Sequence, residues 1–212
     1  MNGTLFSFEG IDGSGKTTQV GLLADALRER GLVVNCLREP GGTALGEKVR
    51  SLLLEPSDEP PVPLAELLLF SAARAQIVQT RVLPALARGE VVILDRFFDA
   101  TFAYQGFGRN LSLDAIVALE GIAAGIAPRR TWFLDVPLEV AATRRGGRGG
   151  GADRMEAEAE AFRQRVRDGY LQRAKDAPER VRVVDASVPV AQIQTEILTD
   201  ALQILGKAGS AS

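Results

Sequence analysis

The sequence predicts an α/β fold in which a parallel sheet of five strands is flanked by helices. Three observations lead there. Short apolar runs alternate with longer periodic stretches of helical length, the pattern of repeated strand–helix–strand units. The runs are continuously apolar rather than alternating, as in strands buried on both faces. The first of them stops in a glycine-rich turn, "GIDGSGKTT" from Gly10 to Thr18, which opens directly into a helical pattern.

The elements follow in order. Strands are expected at Leu5–Phe8, Val33–Leu37, Val91–Leu94, Thr131–Leu134 and Val181–Val184, each bounded by polar or glycine-rich residues. Helices are expected at Lys16–Arg30, Ala44–Leu54, Leu64–Leu83, Leu113–Ala124, Leu138–Arg145, Met155–Lys175 and Val190–Leu205. The proline-rich, acidic "EPSDEPPVP" and the stretch "GGRGGGAD" read as surface, and "GKAGSAS" at 206–212 as a flexible tail. No repeat of fixed period is present. With 212 residues the chain suits a single domain spanning 1–212.

Composition excludes several chemistries. A formal charge of -2, from 25 basic and 27 acidic residues, gives no global reason to expect nucleic acid or an anionic membrane as partner. One cysteine, Cys36, allows neither an intramolecular disulfide nor a cysteine zinc site. Histidine is absent, which removes Ser-His-Asp catalysis, phosphohistidine and imidazole acid–base work. The start has no basic segment before its apolar run, and no apolar run is long enough to span a bilayer. A cytoplasmic protein is expected, with lysine, arginine, carboxylates and a metal to do the chemistry.

Gly10–Thr17 reads GIDGSGKT and fits G-x-x-x-x-G-K-[ST] at every fixed position. Glycines let backbone N–H groups close around phosphate oxygens at a helix N-terminus. Gly10, Ile11, Asp12, Gly13, Ser14, Gly15, Lys16, Thr17 and Thr18 are therefore the expected ATP-binding residues of a P-loop NTPase fold. Lys16 reaches the β- and γ-phosphates, and Thr17 offers a hydroxyl to Mg²⁺. "EVVILDR", Glu90–Arg96, ends an apolar strand in a carboxylate, so Asp95 is the second expected metal residue. A GTPase switch should carry N-K-x-D after a later strand, and the chain has none. A motor ATPase would need a larger chain or added modules. A kinase of small molecules remains, against a non-catalytic nucleotide-binding module.

Four further stretches narrow this: "LREPGGT" (Leu37–Thr43), "LLLFSAARAQ" (Leu67–Gln76), "DRFFDATFAYQG" (Asp95–Gly106) and "ADRME" (Ala152–Glu156). In this order after the P-loop they resemble bacterial thymidylate kinase, a P-loop nucleoside monophosphate kinase family, over roughly residues 4 to 200. The resemblance implies Mg²⁺-dependent transfer of the ATP γ-phosphoryl group to dTMP, giving dTDP and ADP, by a homodimer. Arg38 and Arg96, at the ends of expected strands, are the natural clamp for the acceptor phosphate. Phe70 and Arg74, four apart on a helix, share a face, and the resemblance gives them stacking and hydrogen bonding to thymine. It also implies that Thr101 bonds the thymine edge, that Tyr104 packs on the deoxyribose, and that Gln105 lines the same pocket. Asp12 resembles the acid that faces the acceptor sugar or a bound metal. Glu156 resembles a residue that orders the lid base or a metal.

"TRRGGRGGGADR", Thr143–Arg154, combines five glycines with arginines and reads as a lid over about 144–154. Some family members carry a catalytic arginine in the P-loop and others in the lid. This loop has Gly13 instead, so the lid must supply it, as Arg145 or Arg148. The expected catalytic set is Lys16, Arg96, Arg145 and Arg148. One departure stands out: where relatives usually have serine after "DRxxD", this chain has Ala100.

Overall fold

The computed structural model describes residues 3–146, 154–155 and 158–209. Five strands, β1 (Thr4–Glu9), β2 (Val34–Arg38), β3 (Val91–Asp95), β4 (Arg130–Asp135) and β5 (Val181–Asp185), form one sheet in the order β2-β3-β1-β4-β5. All pairs are parallel, with Phe8 beside Asp95 and Arg38 beside Asp95 in register. The central strand β1 is buried along its whole length, as its apolar run requires. The edge strands β2 and β5 are buried only in part, because each has a neighbour on one side alone.

Helices fill the connections: α1 (Lys16–Arg28), α2 (Ala44–Leu54), α3 (Pro63–Ile77), α4 (Leu83–Ala87), α5 (Phe98–Thr101), α6 (Leu113–Ala123), α7 (Leu138–Gly146), α8 (Glu160–Asp176) and α9 (Val190–Gly209). Alternation along β1 divides the core. Phe6 and Phe8 pack on Trp132, each ring pair 5.0 Å apart, with Leu23 of α1 and Ile197 of α9 in the same cluster. Leu5 joins Val92, Leu94, Val78, Val82 and Ile116 in a second cluster.

Several boundaries depart from expectation, each for a local reason. The helix expected at Leu64–Leu83 is α3, a widened π turn at Val78–Val82, and α4. Pro84 has no N–H to bond the carbonyl one turn back, and the wider turn absorbs that loss. No helix is predicted across Phe98–Gly108, yet α5 runs there into a second π-helical segment, Phe102–Gly108. The helix expected from Met155 starts only at Glu160, because Arg154 is drawn away to the end of α2, its N–H and Nε donating to the carbonyls of Leu54 and Leu53. The last helix continues to Gly209, into the segment expected to be a tail.

One buried charge fastens the second half of the sheet. Asp99, 1 % exposed, accepts from Arg180 at 2.6 and 2.7 Å, from Arg173 at 3.2 Å and from the Thr131 hydroxyl at 3.2 Å. It thereby ties α5 to α8 and to the start of β5. Replacing one member of such a group leaves charges buried without a partner. Asp99→Ala is expected to cost roughly 3–5 kcal/mol of stability, read as a lower urea midpoint with an unchanged slope.

Candidate active site

The loop after β1 sits where the sheet order reverses, with β3 on one side of β1 and β4 on the other, the crevice where open α/β sheets bind ligands. Gly10, Gly13 and Gly15 have φ of 144°, 91° and 95°, which suit glycine alone. At Gly13 the constraint is also steric, since a Cβ would lie 2.4 Å from the Ala141 carbonyl of α7. Lys16 folds back over the loop and donates to the carbonyls of Gly10 (2.9 Å) and Ile11 (3.1 Å). Ile11 is buried in the core, while Thr18 stands at the rim. The Ser14 hydroxyl oxygen is sealed in without a partner among the described residues.

At the end of β3 the chain turns sharply through Arg96, whose φ of 71° is unusual for a side chain of that size. The turn aims its guanidinium at the loop. Nη2 donates to Asp12 Oδ1 at 2.6 Å, and Nη1 to the Gly10 carbonyl at 2.9 Å and to the Tyr170 hydroxyl at 3.2 Å. The Tyr104 ring lies 5.1 Å beneath it. Behind this, Glu9 is fully buried and accepts from the Phe97 N–H (2.7 Å) and the Tyr170 hydroxyl (2.9 Å). Beside it, the Thr17 hydroxyl donates to Asp95 Oδ2 at 2.7 Å. Arg145 donates to the Asp12 carbonyl at 2.8 Å, which brings the root of the expected lid onto the loop.

Two chambers meet here. A cleft of about 1660 Å³ is bordered by Gly13, Lys16, Thr17, Arg38, Asp95 and Arg96. A pocket of about 550 Å³ adjoins it, lined by Phe70, Arg74, Ala100, Thr101, Tyr104 and Gln105 among others. Asp12, Glu39, Arg50 and Arg96 border both. Arg74 is almost fully buried at the back of the pocket: Nε donates to Glu39 Oε2 (2.7 Å), while Nη1 donates to the Thr101 hydroxyl (2.9 Å) and to Glu120 Oε1. Its Nη2 has no partner among the described residues.

Set beside known proteins, the chain matches the thymidylate kinase family model over residues 8–197. The chain belongs to the thymidylate kinase family. A thymidylate kinase of Ectopseudomonas mendocina is 50% identical over 198 residues, covering 93% of this chain and 94% of the relative. One from Pelotomaculum thermopropionicum is 45% identical over 206 residues, covering 97% and 95%. The crystal structure of a thymidylate kinase from Ehrlichia chaffeensis superposes with a TM-score of 0.76 at 34% identity, covering 94% of this chain and 98% of the other. The chain is thus a nucleoside monophosphate kinase, a phosphotransferase on a P-loop fold.

Most expected site residues gather at these two thymidylate kinase chambers. Arg38 stands at the cleft rim, exposed, with its guanidinium on Glu47 at 2.9 Å. Arg148 and Glu156 lie outside the described residues. Ala100 lines the pocket without a hydroxyl, and the Thr101 oxygen beside it accepts from Arg74. The sequence reading missed Glu39, Glu66, Glu120 and Tyr170, which hold the site from behind. Glu66 and Glu120 did carry a signal, a lone carboxylate inside an apolar helical run.

Burial sets the charge states. It pushes the Glu9 carboxyl up to about 8, with Asp99 adding to the effect, and Glu39 up to about 7 despite Arg74. It pushes Lys16 down to about 8, with Arg96 working the same way. Burial opposes the Asp12 carboxylate as well, but Arg96 and Lys16 outweigh it and hold the group at about 2. Glu9 therefore keeps a proton in the folded chain between its ordinary 4.5 and about 8 that the unfolded chain has lost. Its contribution makes stability fall as pH rises through that window, by at most about 1.4 kcal/mol per pH unit. Glu9→Gln, which imitates the protonated acid, is expected to flatten this descent in urea unfolding from pH 5 to 8, with the Glu39 contribution remaining.

Proposed function

We propose that ATP occupies the larger cleft and dTMP the adjoining pocket, and that the γ-phosphoryl group passes between them directly, in line and without a covalent intermediate, giving dTDP and ADP. The observation that carries this is Arg96. It borders both chambers and is joined to the loop through Gly10 and Asp12, so a phosphate in either chamber meets the same guanidinium. Transfer between two anions depends on positioning and on charge stabilisation, for which fixed cations serve better than a nucleophile.

In this reading the loop N–H groups cradle the donor phosphates and Lys16 exchanges its two carbonyl partners for phosphate oxygens. Arg38 and Arg96 hold the acceptor phosphate. Phe70 stacks on the base, Arg74 donates to a base carbonyl through Nη2, Thr101 and Gln105 border the base, and Tyr104 packs on the sugar. Asp12, whose carboxylate Arg96 engages, faces the acceptor sugar. Arg145, with Arg148 beyond the described residues, brings lid charge to the transferred group. The lid is the segment of about 144–154 in a single kinase domain spanning 1–212.

The residues also fit Mg²⁺. The Thr17 hydroxyl and Asp95 carboxylate are paired at the loop end, oxygen donors of the kind this ion takes. Among the described residues no group of three or more acidic, cysteine or histidine side chains is placed to cage a metal. Mg²⁺ needs no such cage, since phosphates and water complete its shell. The Thr17 hydroxyl and the Asp95 carboxylate would hold the ion, which would supply positive charge to offset that of the phosphates.

A homodimer in the cytoplasm completes the proposal. Among the described residues no helix is long and apolar enough to cross a membrane. Leu64 and Leu68 of α3 and Leu113 and Val117 of α6 are exposed on two helices that pack together, an apolar face suited to a second copy.

ADP release with Mg²⁺-ATP, measured with dTMP, dUMP, dCMP, dGMP, AMP or no acceptor, tests the activity. Turnover is expected chiefly with dTMP, and strong release without an acceptor would make this an ATPase module. In the same assay Lys16→Ala is expected to lower kcat by about 10²-fold or more, and Arg74→Ala to raise KM for dTMP more than for ATP. For the assembly, Leu68→Asp with Val117→Asp is expected to shift sedimentation from dimer to monomer; a dimer that persists would place the interface elsewhere.

A further inference from the structure

Behind the pocket lies a carboxylate that touches neither chamber. Glu66 of α3 is fully buried and is shared by three donors. Its Oε1 accepts from Gln105 Nε2 at 2.7 Å and from Arg109 Nε at 3.3 Å. Its Oε2 accepts from Arg109 Nη2 at 3.2 Å and from Arg154 Nη2. Burial works against ionisation, but the hydrogen bonds from Arg109, Arg154 and Gln105 overcome it and hold the carboxyl below its usual range. An ionised carboxylate only accepts.

The consequence falls on Gln105. A primary amide has a donating and an accepting end, and packing alone does not say which faces where. Next to an acceptor-only partner the NH₂ must face Glu66, so Oε1 faces the other way. Gln105 lines the pocket, no described donor bonds its Oε1, and that oxygen is not among the sealed, unpartnered atoms. Arg74 Nη2, on the same pocket, is a spare donor. The pocket thus offers one acceptor and one donor. Thymine and uracil present the complement, N3–H beside a carbonyl oxygen. Cytosine presents the reverse, a bare N3 beside an amino group.

We propose that Glu66 is a specificity-determining positioning residue: by fixing the Gln105 amide with its oxygen toward the pocket, it selects bases that carry N3–H and rejects cytosine. This rests on the reading that the pocket holds the base.

The test is the ratio of kcat/KM for dTMP to that for 5-methyl-dCMP. In Glu66→Gln, Arg109 and Arg154 hold the one remaining oxygen and turn the new NH₂ toward Gln105, which then rotates to face the base with its own NH₂. The ratio is expected to fall about tenfold or more, mainly through a higher KM for dTMP with the KM for ATP kept. Arg154→Met, which leaves the Glu66–Gln105 bond, is expected to keep the ratio. An equal loss for both nucleotides in Glu66→Gln would make Glu66 merely structural and overturn the proposal. Gln105→Ala separates the two levels of argument. If it leaves the ratio unchanged, the base does not sit here; if it collapses the ratio while Glu66→Gln does not, only the role of Glu66 fails. Should Glu66→Gln not fold, hydrogen exchange of the Gln105 side-chain NH₂ in the unaltered protein decides: slow exchange before and after dTMP addition supports the orientation, and fast exchange in the free protein overturns it.

Discussion

The hydrogen bonds of Arg96 to Asp12 and to the Gly10 carbonyl are what the site depends on. They join the end of β3 to the loop after β1, and so fix the distance between the two chambers. Their geometry requires an arginine at positive φ, a conformation that costs of order 1–3 kcal/mol and persists only where the surroundings enforce it. The surroundings do so on every side. Tyr104 lies beneath the guanidinium, Tyr170 accepts from it, and Glu9 holds both Tyr170 and the next backbone N–H, that of Phe97. Strain at one residue is thus distributed over β1, the π-helical segment and α8.

The same solution recurs around the two chambers and behind them. Asp99, Glu66 and the pair Glu39–Glu120 are each buried, and each is matched by arginine rather than lysine. A planar guanidinium can serve several acceptors at fixed angles and is less strongly hydrated than an ammonium. Such groups seldom add net stability over an apolar core. What they add is direction, because each allows only one arrangement of the helices that supply its donors. In a chain without histidine and with one exposed cysteine, these arginine–carboxylate groups are also the means by which the interior is given polarity.

The sheet was legible in the sequence because its signal is local: five apolar runs of strand length, the first ending in a motif that admits few conformations. The loop and the strand-end residues Asp95 and Arg96 followed, since strand ends collect ligands in this architecture. Phe98–Gly108 was not legible. Its aromatic and glycine-rich composition has no clean period, and the π-helical winding that turns Tyr104 and Gln105 to the pocket follows from packing against α8, where Gly108 meets Phe162 and Gly169 meets Phe107. The supporting carboxylates were hidden for another reason. A single Glu in an apolar helix marks a buried charge but does not name its partner, and the partners of Glu66 lie 39, 43 and 88 residues away.

The posture of Lys16 bears on how the enzyme receives its ligand. The Lys16 ammonium has two carbonyl acceptors from the loop it closes. On the proposed reading, phosphate capture at this lysine exchanges one set of hydrogen-bond partners for another. The same two bonds brace the loop with its own side chain as a splint, so its shape does not rest on the backbone alone. The net gain from the contact is correspondingly the difference between two sets of hydrogen bonds. On that reading, discrimination passes from the strength of phosphate capture to the fit of what the phosphate carries.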